Sequence, residues 1–169
     1  MKFVAFIVSV AAIITFIMRA NHNSSSENIA SAILRIGNGT LNVDVADTDE
    51  ERSLGLSKRD FLEEGNGMLF VFEEEGYHGI WMKEMIFPID IVWLDKNKIV
   101  VHKEENVSPA TFPKAFYPSQ PSLYVLETSA HFLNDVNVKI GTPAEFCFGW
   151  LECLYNKSKL DNKLYSKAR

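Results

Sequence analysis

Residues Met68–Phe72, MLFVF, are apolar at every position. A strand sends successive side chains to opposite faces, so a strand apolar on both faces marks the centre of a sheet. The stretch Gly79–Asp95, GIWMKEMIFPIDIVWLD, is equally apolar but sets Lys83, Glu84 and Asp90 among tryptophans, methionines and isoleucines. It reads as two strands, Gly79–Glu84 and Ile89–Leu94, parted by a bend at Met85–Pro88 where proline blocks continuous pairing. In the second strand Ile89 and Ile91 occupy one face, while Asp90 shares the other with Val92 and Leu94. A carboxylate buried there needs a partner, because an unpaired charge in an apolar setting is costly. If the two strands pair as a hairpin, Lys83 lies opposite Asp90 and the two compensate each other. Glu127 poses the same problem within YVLET, with Arg52 or Arg59 to answer it.

Other segments extend a β pattern. AILRI and TLNVDVA alternate around GNG at Gly37–Gly39, which predicts a hairpin whose glycine and asparagine supply positive φ. Thr48 begins T-x-x-E, so it is expected to cap a short helix with Glu51 reaching back and acids near the positive end. EGNG at Glu64–Gly67 and DKNK at Asp95–Lys98 are turns, the latter leading into IVVHKE. SLYVLET predicts a strand, SAHFLNDV a short helix and VKIGTPAEF a closing strand. The strands are expected to run antiparallel in succession. Residues 105–121 carry four prolines with Phe112, Phe116 and Tyr117. A loop of this length is either a functional lid or an ordered connection pinned by its own aromatics.

The N-terminus adds an address. Phe3–Met18 holds no charge and is flanked by Lys2 and Arg19, with a polar Asn/Ser stretch following. As a helix these residues span ~24 Å, short of the ~30 Å hydrocarbon core, with the flanking cations snorkelling to the interfaces. Ending at Ala20 would put Met18 where a cleavage site needs a small residue. The segment therefore predicts an uncleaved membrane anchor with the domain outside the cytoplasm, secretion after signal cleavage being the alternative. The chain divides into an anchor or signal segment at 1–20, a polar linker at 21–32, a β domain at 33–146 and an extension with a basic tail at 147–169.

Charge and cysteine usage narrow the partners. The net charge of −5 conceals an acidic body: residues 27–156 hold ten Lys and Arg against 21 Asp and Glu, while 157–169 hold five basic residues and one Asp. An acidic globule without a basic stripe argues against nucleic-acid binding, which needs clustered cations for the phosphates. Cys147 and Cys153 are the only cysteines and fit no zinc pattern. They are either a local disulfide or two free thiols. No metal and no cofactor is expected.

ERSLGLSKR, GNGMLFVF, GIWMKEMIFPIDIVWLD and YVLETSAH, in this order and spacing, resemble the domain-of-unknown-function family 192 over about residues 33–146. The resemblance implies a mainly β (α+β) fold, a compact antiparallel β sandwich or barrel-like domain with one or two short helices. It further implies a domain often preceded by an export signal or anchor, and by itself it implies no activity. The matching motif positions are Arg52, Gly55, Leu56, Arg59, Gly67, Met68, Phe70, Phe72, Trp81, Met82, Lys83, Pro88, Asp90 and Glu127. The chain departs from the common family pattern at Ser57, at Glu84 where Asn is common, and at His131 where Gly is usual.

Three functional readings follow. In the first, Trp81, Lys83, Asp90, Arg59 and Glu127 line one pocket that binds a small molecule or a cell-envelope partner without catalysis. Arg52, Gly55, Gly67, Met68, Phe70, Phe72, Met82 and Pro88 then serve the fold. In the second, Asp90 and Glu127 act as acid and base of a hydrolase or lyase, with Lys83 or Arg59 holding an anionic substrate. In the third, the domain is a structural or protein-interaction module that uses the aromatic loop. Nucleophilic catalysis has no G-x-S-x-G elbow behind it, and His22, His78, His102 and His131 show no ligand spacing.

Overall fold

The computed structural model describes residues 30–148, and side chains up to residue 146. The expected anchor, the linker up to residue 29, Cys153 and the basic tail lie outside the described residues, as does any pairing of the two cysteines. Among the described residues no helix is long and apolar enough to cross a membrane.

Among the described residues nine strands and two short helices follow in order: β1 (Ser31–Ile36), β2 (Gly39–Ala46), α1 (Asp49–Leu54), β3 (Asn66–Gly76), β4 (Ile80–Trp81), β5 (Ile89–Leu94), β6 (Val100–Val107), β7 (Ala115–Phe116), β8 (Ser122–Ser129), α2 (Phe132–Asp135) and β9 (Ala144–Phe148). Seven strands form one sheet, ordered β6-β5-β8-β3-β2-β1-β9, which curls into a half-barrel; β4 and β7 form a separate pair. Thus the fold is mainly β, built on one curled sheet. The stretch MLFVF does lie centrally, between β8 and β2.

The expectation of uniformly antiparallel neighbours fails at one place: β2 and β3 run parallel, with Asn42 opposite Asn66 and Ala46 opposite Phe70. Parallel neighbours need a crossover connection of a dozen or more residues. Here the crossover is residues 47–65, and it carries α1. Thr48 and Glu51 form the expected capping box: the Thr48 hydroxyl accepts from the Glu51 N–H, and Glu51 accepts from the Thr48 N–H. The N–H groups of Thr48 and then Asp47 hold the Glu51 carboxyl below its ordinary range. Gly55 ends the helix at φ 52°, ψ −138°, with its N–H donating to the Glu51 carbonyl. Only glycine occupies that backbone region without strain.

Strand alternation splits the buried side chains into two cores, one on each face. Leu34, Leu41, Val43, Leu69, Val92 and Leu126 pack on one face with Leu133 of α2. Met68, Phe70, Ile91, Trp93 and Val125 pack on the other, beneath Leu56 from the crossover, Ile80, Met82 and Phe116. Each fully buried aliphatic side chain such as Leu69 or Ile91 contributes roughly 2 kcal/mol. Residues 105–121 prove to be an ordered connection holding a short 3-10 turn at Pro109–Thr111 and β7, with Phe116 buried in the second core.

The hairpin expected between Gly79–Glu84 and Ile89–Leu94 does not form. β4 pairs with β7, and β5 lies between β6 and β8. Lys83 and Asp90 therefore do not compensate each other. Asp90 is fully buried, and its two carboxyl oxygens accept from the Asn106 N–H at 2.7 Å and the Leu133 N–H at 3.0 Å. The partner needed by this acid is backbone. Asn106 sits at positive φ, 50°, close to the register shift between β5 and β6 at Ile89/Ile91. Such an irregularity turns an N–H out of its ladder and leaves it to be satisfied by a side chain.

Two departures from the family pattern acquire a physical meaning. Glu84 has φ 57° and His131 has φ 74°. The residues common there, asparagine and glycine, are those that tolerate left-handed backbone best. This chain holds the same bends with side chains that suit them less well.

Candidate functional site

In β8, Leu126 and Thr128 face the first core, so Glu127 faces the second. The register places it between Met68 of β3 and Ile91 of β5, neither of which offers a hydrogen bond. Glu127 is 5% exposed, and its Oε2 has no hydrogen-bond partner. Burial pushes its carboxyl up from the ordinary 4.5 to about 8, while the positive charge of Arg59 pulls the other way with less effect. Desolvation wins because Arg59 is committed elsewhere: its Nη2 donates to Asp44 Oδ2 at 2.8 Å. The expected ion pair between Glu127 and an arginine is therefore absent. Arg52 is also committed, donating to the carbonyls of Val71 and Asp47 and to Asp49 Oδ1, with its guanidinium over the Phe72 ring.

Above Glu127 the two cover segments leave an open cavity of about 60 Å³. One wall is the end of α1 and the turn after it, from Arg52 to Ser57; the other is Gly79–Trp81 with Met85. Ser57 joins the walls, its hydroxyl donating to the Lys83 carbonyl at 2.8 Å. A Cβ at Gly55 would stand 3.3 Å from the Phe70 ring and 3.8 Å from Glu127 Oε2. The missing side chain keeps the space over the carboxyl open. A single water needs ~10–15 Å³, so the cavity holds a few small atoms, far less than the ~300–1,000 Å³ of a site enclosing a drug-sized ligand.

The five candidate ligand-binding residues divide. Trp81 and Glu127 both line the cavity. Trp81 is 50% exposed, with Phe112 tilted against it at 5.9 Å between ring centres. Lys83 is exposed, its ammonium 5.7 Å from the centre of the Trp81 ring, which is a cation–π arrangement. Arg59 reaches the site through its charge alone. Asp90 is excluded, because it stands on the opposite face of the sheet. The acid/base pairing of Asp90 with Glu127 is excluded for the same reason, since the sheet separates them.

Of the residues expected to serve the fold, Arg52, Gly55 and Phe70 also line the cavity. Gly67 lets β3 approach β8, since a Cβ there would meet the Glu127 carbonyl at 2.7 Å. Met68, Phe70 and Met82 are buried. Phe72 stacks on His78 at 3.5 Å, and Pro88 is exposed immediately before β5. The His78 Nε2 is 3.1 Å from the Glu74 carbonyl, so this ring is part of the packing. Among the described residues no group of three or more His, Cys, Asp or Glu is placed to hold a metal ion. Sequence reasoning missed Ser53, Leu54, Ser57, Gly79, Ile80 and Met85 as cavity lining. The available signal was Gly55 directly after a capped helix, where a bare backbone makes room.

A family model described as Uncharacterized ACR matches residues 32–146. Two crystal structures are similar in fold. A protein from Sinorhizobium meliloti 1021, provisionally described as a transcription regulator, is 26% identical, with 70% of this chain and 95% of that chain covered and a TM-score of 0.67. A protein of unknown function from Novosphingobium aromaticivorans DSM 12444 is 23% identical, with 68% of this chain and 83% of that chain covered and a TM-score of 0.62. No curated protein matches.

Proposed function

The chain belongs to the domain-of-unknown-function family 192, and within that family we propose that this domain binds a small molecule, or a small group of a larger one, in the cavity over Glu127 without chemistry of its own. One observation carries the proposal: Glu127 lines an open cavity, and one of its carboxyl oxygens is buried with no partner inside the protein. Leaving a buried polar atom unsatisfied costs roughly 1–3 kcal/mol. A ligand that completes the hydrogen bond recovers that energy. Catalysis is disfavoured because Arg52 is the only other charged side chain on the lining, and it is already bonded. An acid without a base or nucleophile beside it can bind but cannot complete a general acid–base cycle.

The uncharged stretch Phe3–Met18 between Lys2 and Arg19 supports a membrane-anchored domain facing out of the cytoplasm, with secretion as the alternative. An envelope component is then the natural source of the bound group. The description of the Sinorhizobium meliloti protein suggests a role in transcription, but the acidic body of this chain disfavours phosphate contacts.

The test is a screen of small polar compounds by backbone amide NMR on wild type and Glu127→Leu. Binding is expected to move the Gly55 amide and the Trp81 indole in wild type and to weaken about tenfold in Glu127→Leu, as loss of a hydrogen bond of ordinary strength predicts. Compounds that bind both proteins equally, or shift only residues away from the cavity, would refute the proposal.

A further inference from the structure

We infer that the group taken by this cavity is a hydroxyl of a carbohydrate whose ring lies against Trp81, a statement that rests on the binding proposal above and adds its chemical class. The polar groups that line the cavity and remain available are neutral hydrogen-bonding groups. Arg52 is occupied by Asp49 and two carbonyls, and Ser57 donates to the Lys83 carbonyl while keeping acceptor capacity. An anionic group finds no free cation on the lining. A cationic group finds no free anion, since Glu127 is the one carboxyl on the lining and its burial favours the neutral form. A neutral group that both donates and accepts matches the floor best, since a protonated carboxyl also does both. The raised titration of Glu127 keeps it in that form at neutral pH.

The size and the rim favour a hydroxyl carried on a sugar. About 60 Å³ admits a hydroxymethyl or ring hydroxyl, while the rest of the ligand stays outside. Outside stand three half-exposed aromatics and one cation: Trp81 with the Lys83 ammonium 5.7 Å from its ring centre, Phe112 beside it, and Tyr117, whose ring rests on Gly79 so closely that a Cβ there would lie 2.5 Å from it. A flat aromatic surface next to a hydrogen-bonding floor suits the C–H face and hydroxyl edge of a sugar ring. A peptide offers the same neutral polarity through its amides and is the competing class.

The experiment titrates methyl β-glucoside, N-acetylglucosamine and cellobiose into the folded domain, with N-acetylglycine amide and acetate as competitors of other classes. The readouts are the Gly55 amide and the indole signals, buried Trp93 serving as an internal reference. Saturable shifts at Gly55 and Trp81 with at least one sugar, in the millimolar range, are expected. They should weaken about tenfold in Trp81→Leu, read at Gly55, and in Glu127→Leu, read at both. If the amide or acetate produces Glu127-dependent shifts and no sugar does, the carbohydrate assignment fails and the binding proposal stands. If none of the five probes moves Gly55 or Trp81, both fail. Because Glu127→Leu replaces a buried acid with an apolar side chain, its fold is checked by the unchanged Trp93 indole. If Trp93 moves, Glu127→Gln, which keeps a neutral donor and acceptor at the floor, replaces it: sugar binding by a folded Glu127→Gln is expected, and its complete loss there overturns the assignment.

Discussion

The two faces of the sheet each bury one acid and treat it in opposite ways. On the first face Asp90 receives two backbone N–H groups, one from the irregular end of β6 and one from the start of α2. On the second, Glu127 lies between Met68 and Ile91 with an oxygen unpaired. Burial alone therefore does not distinguish a structural carboxyl from a functional one. What distinguishes them is whether the fold brings donors to the carboxyl. Asp90 ties two chain segments to β5, whereas Glu127 ties none and lies beneath the cavity.

The largest expected effect that tests this contrast is a pH dependence owed to Glu127. Its folded value of about 8 stands above its ordinary 4.5. Between those two values the unfolded chain has released a proton that the folded chain keeps, so rising pH favours unfolding. Stability should fall by up to ~1.4 kcal/mol per pH unit across that window and level off above it, when both states are ionised. Glu127→Gln has no such proton. Urea denaturation of wild type and variant at several pH values is expected to give curves that diverge between pH 5 and pH 8, with wild type losing ground. Parallel curves would mean that Glu127 is hydrated or paired in solution, and the contrast with Asp90 would disappear.

Next in size is Asp90→Ala, which leaves two buried N–H groups without acceptors and opens a small void. A loss of about 3 kcal/mol is expected by the same denaturation measurement. Chemical shift changes should fall in β6 and α2 and leave the Gly55 amide in place. Movement at Gly55 would show the two faces to be coupled rather than separate. The smallest effect belongs to His131→Gly. Relief of left-handed strain at φ 74° is expected to raise stability by ~1 kcal/mol without altering ligand binding.

Much of the local structure was legible in the sequence. The GNG hairpin, the Thr48–Glu51 capping box and the doubly apolar Met68–Phe72 are local signals, and each reports a short-range preference of the backbone or a period of two. What escaped was long-range pairing. Alternation says that Asp90 and Lys83 are unusual, but it cannot say that β5 joins β8 while β4 leaves to join β7. Nor does it reveal that β2 meets β3 in parallel, because parallel and antiparallel neighbours impose the same period on side chains. The site depends on that choice. The parallel pair requires the crossover, and the crossover brings Gly55 over Glu127. Glu127 itself was visible as an oddity in YVLET, but the arginines thought to answer it found Asp44, Asp49 and backbone carbonyls instead.

The pairing of β4 with β7 also divides the molecule by cooperativity. Each of these strands is two residues long, and their ladder joins no strand of the seven-stranded sheet. Their neighbourhood is tied to the rest by the buried side chains of Ile80, Met82 and Phe116 and by a few bonds, among them the Ser57 hydroxyl to the Lys83 carbonyl, the Lys58 N–H to the Glu84 carbonyl and the Trp93 indole to the His78 carbonyl. Segments held this way open in local fluctuations far below the free energy of global unfolding. Amide hydrogens of Ile80 and Trp81 are therefore expected to exchange faster than those of β3 and β8, a difference that hydrogen-exchange NMR would check. The outer wall of the cavity is then less firmly held than its floor.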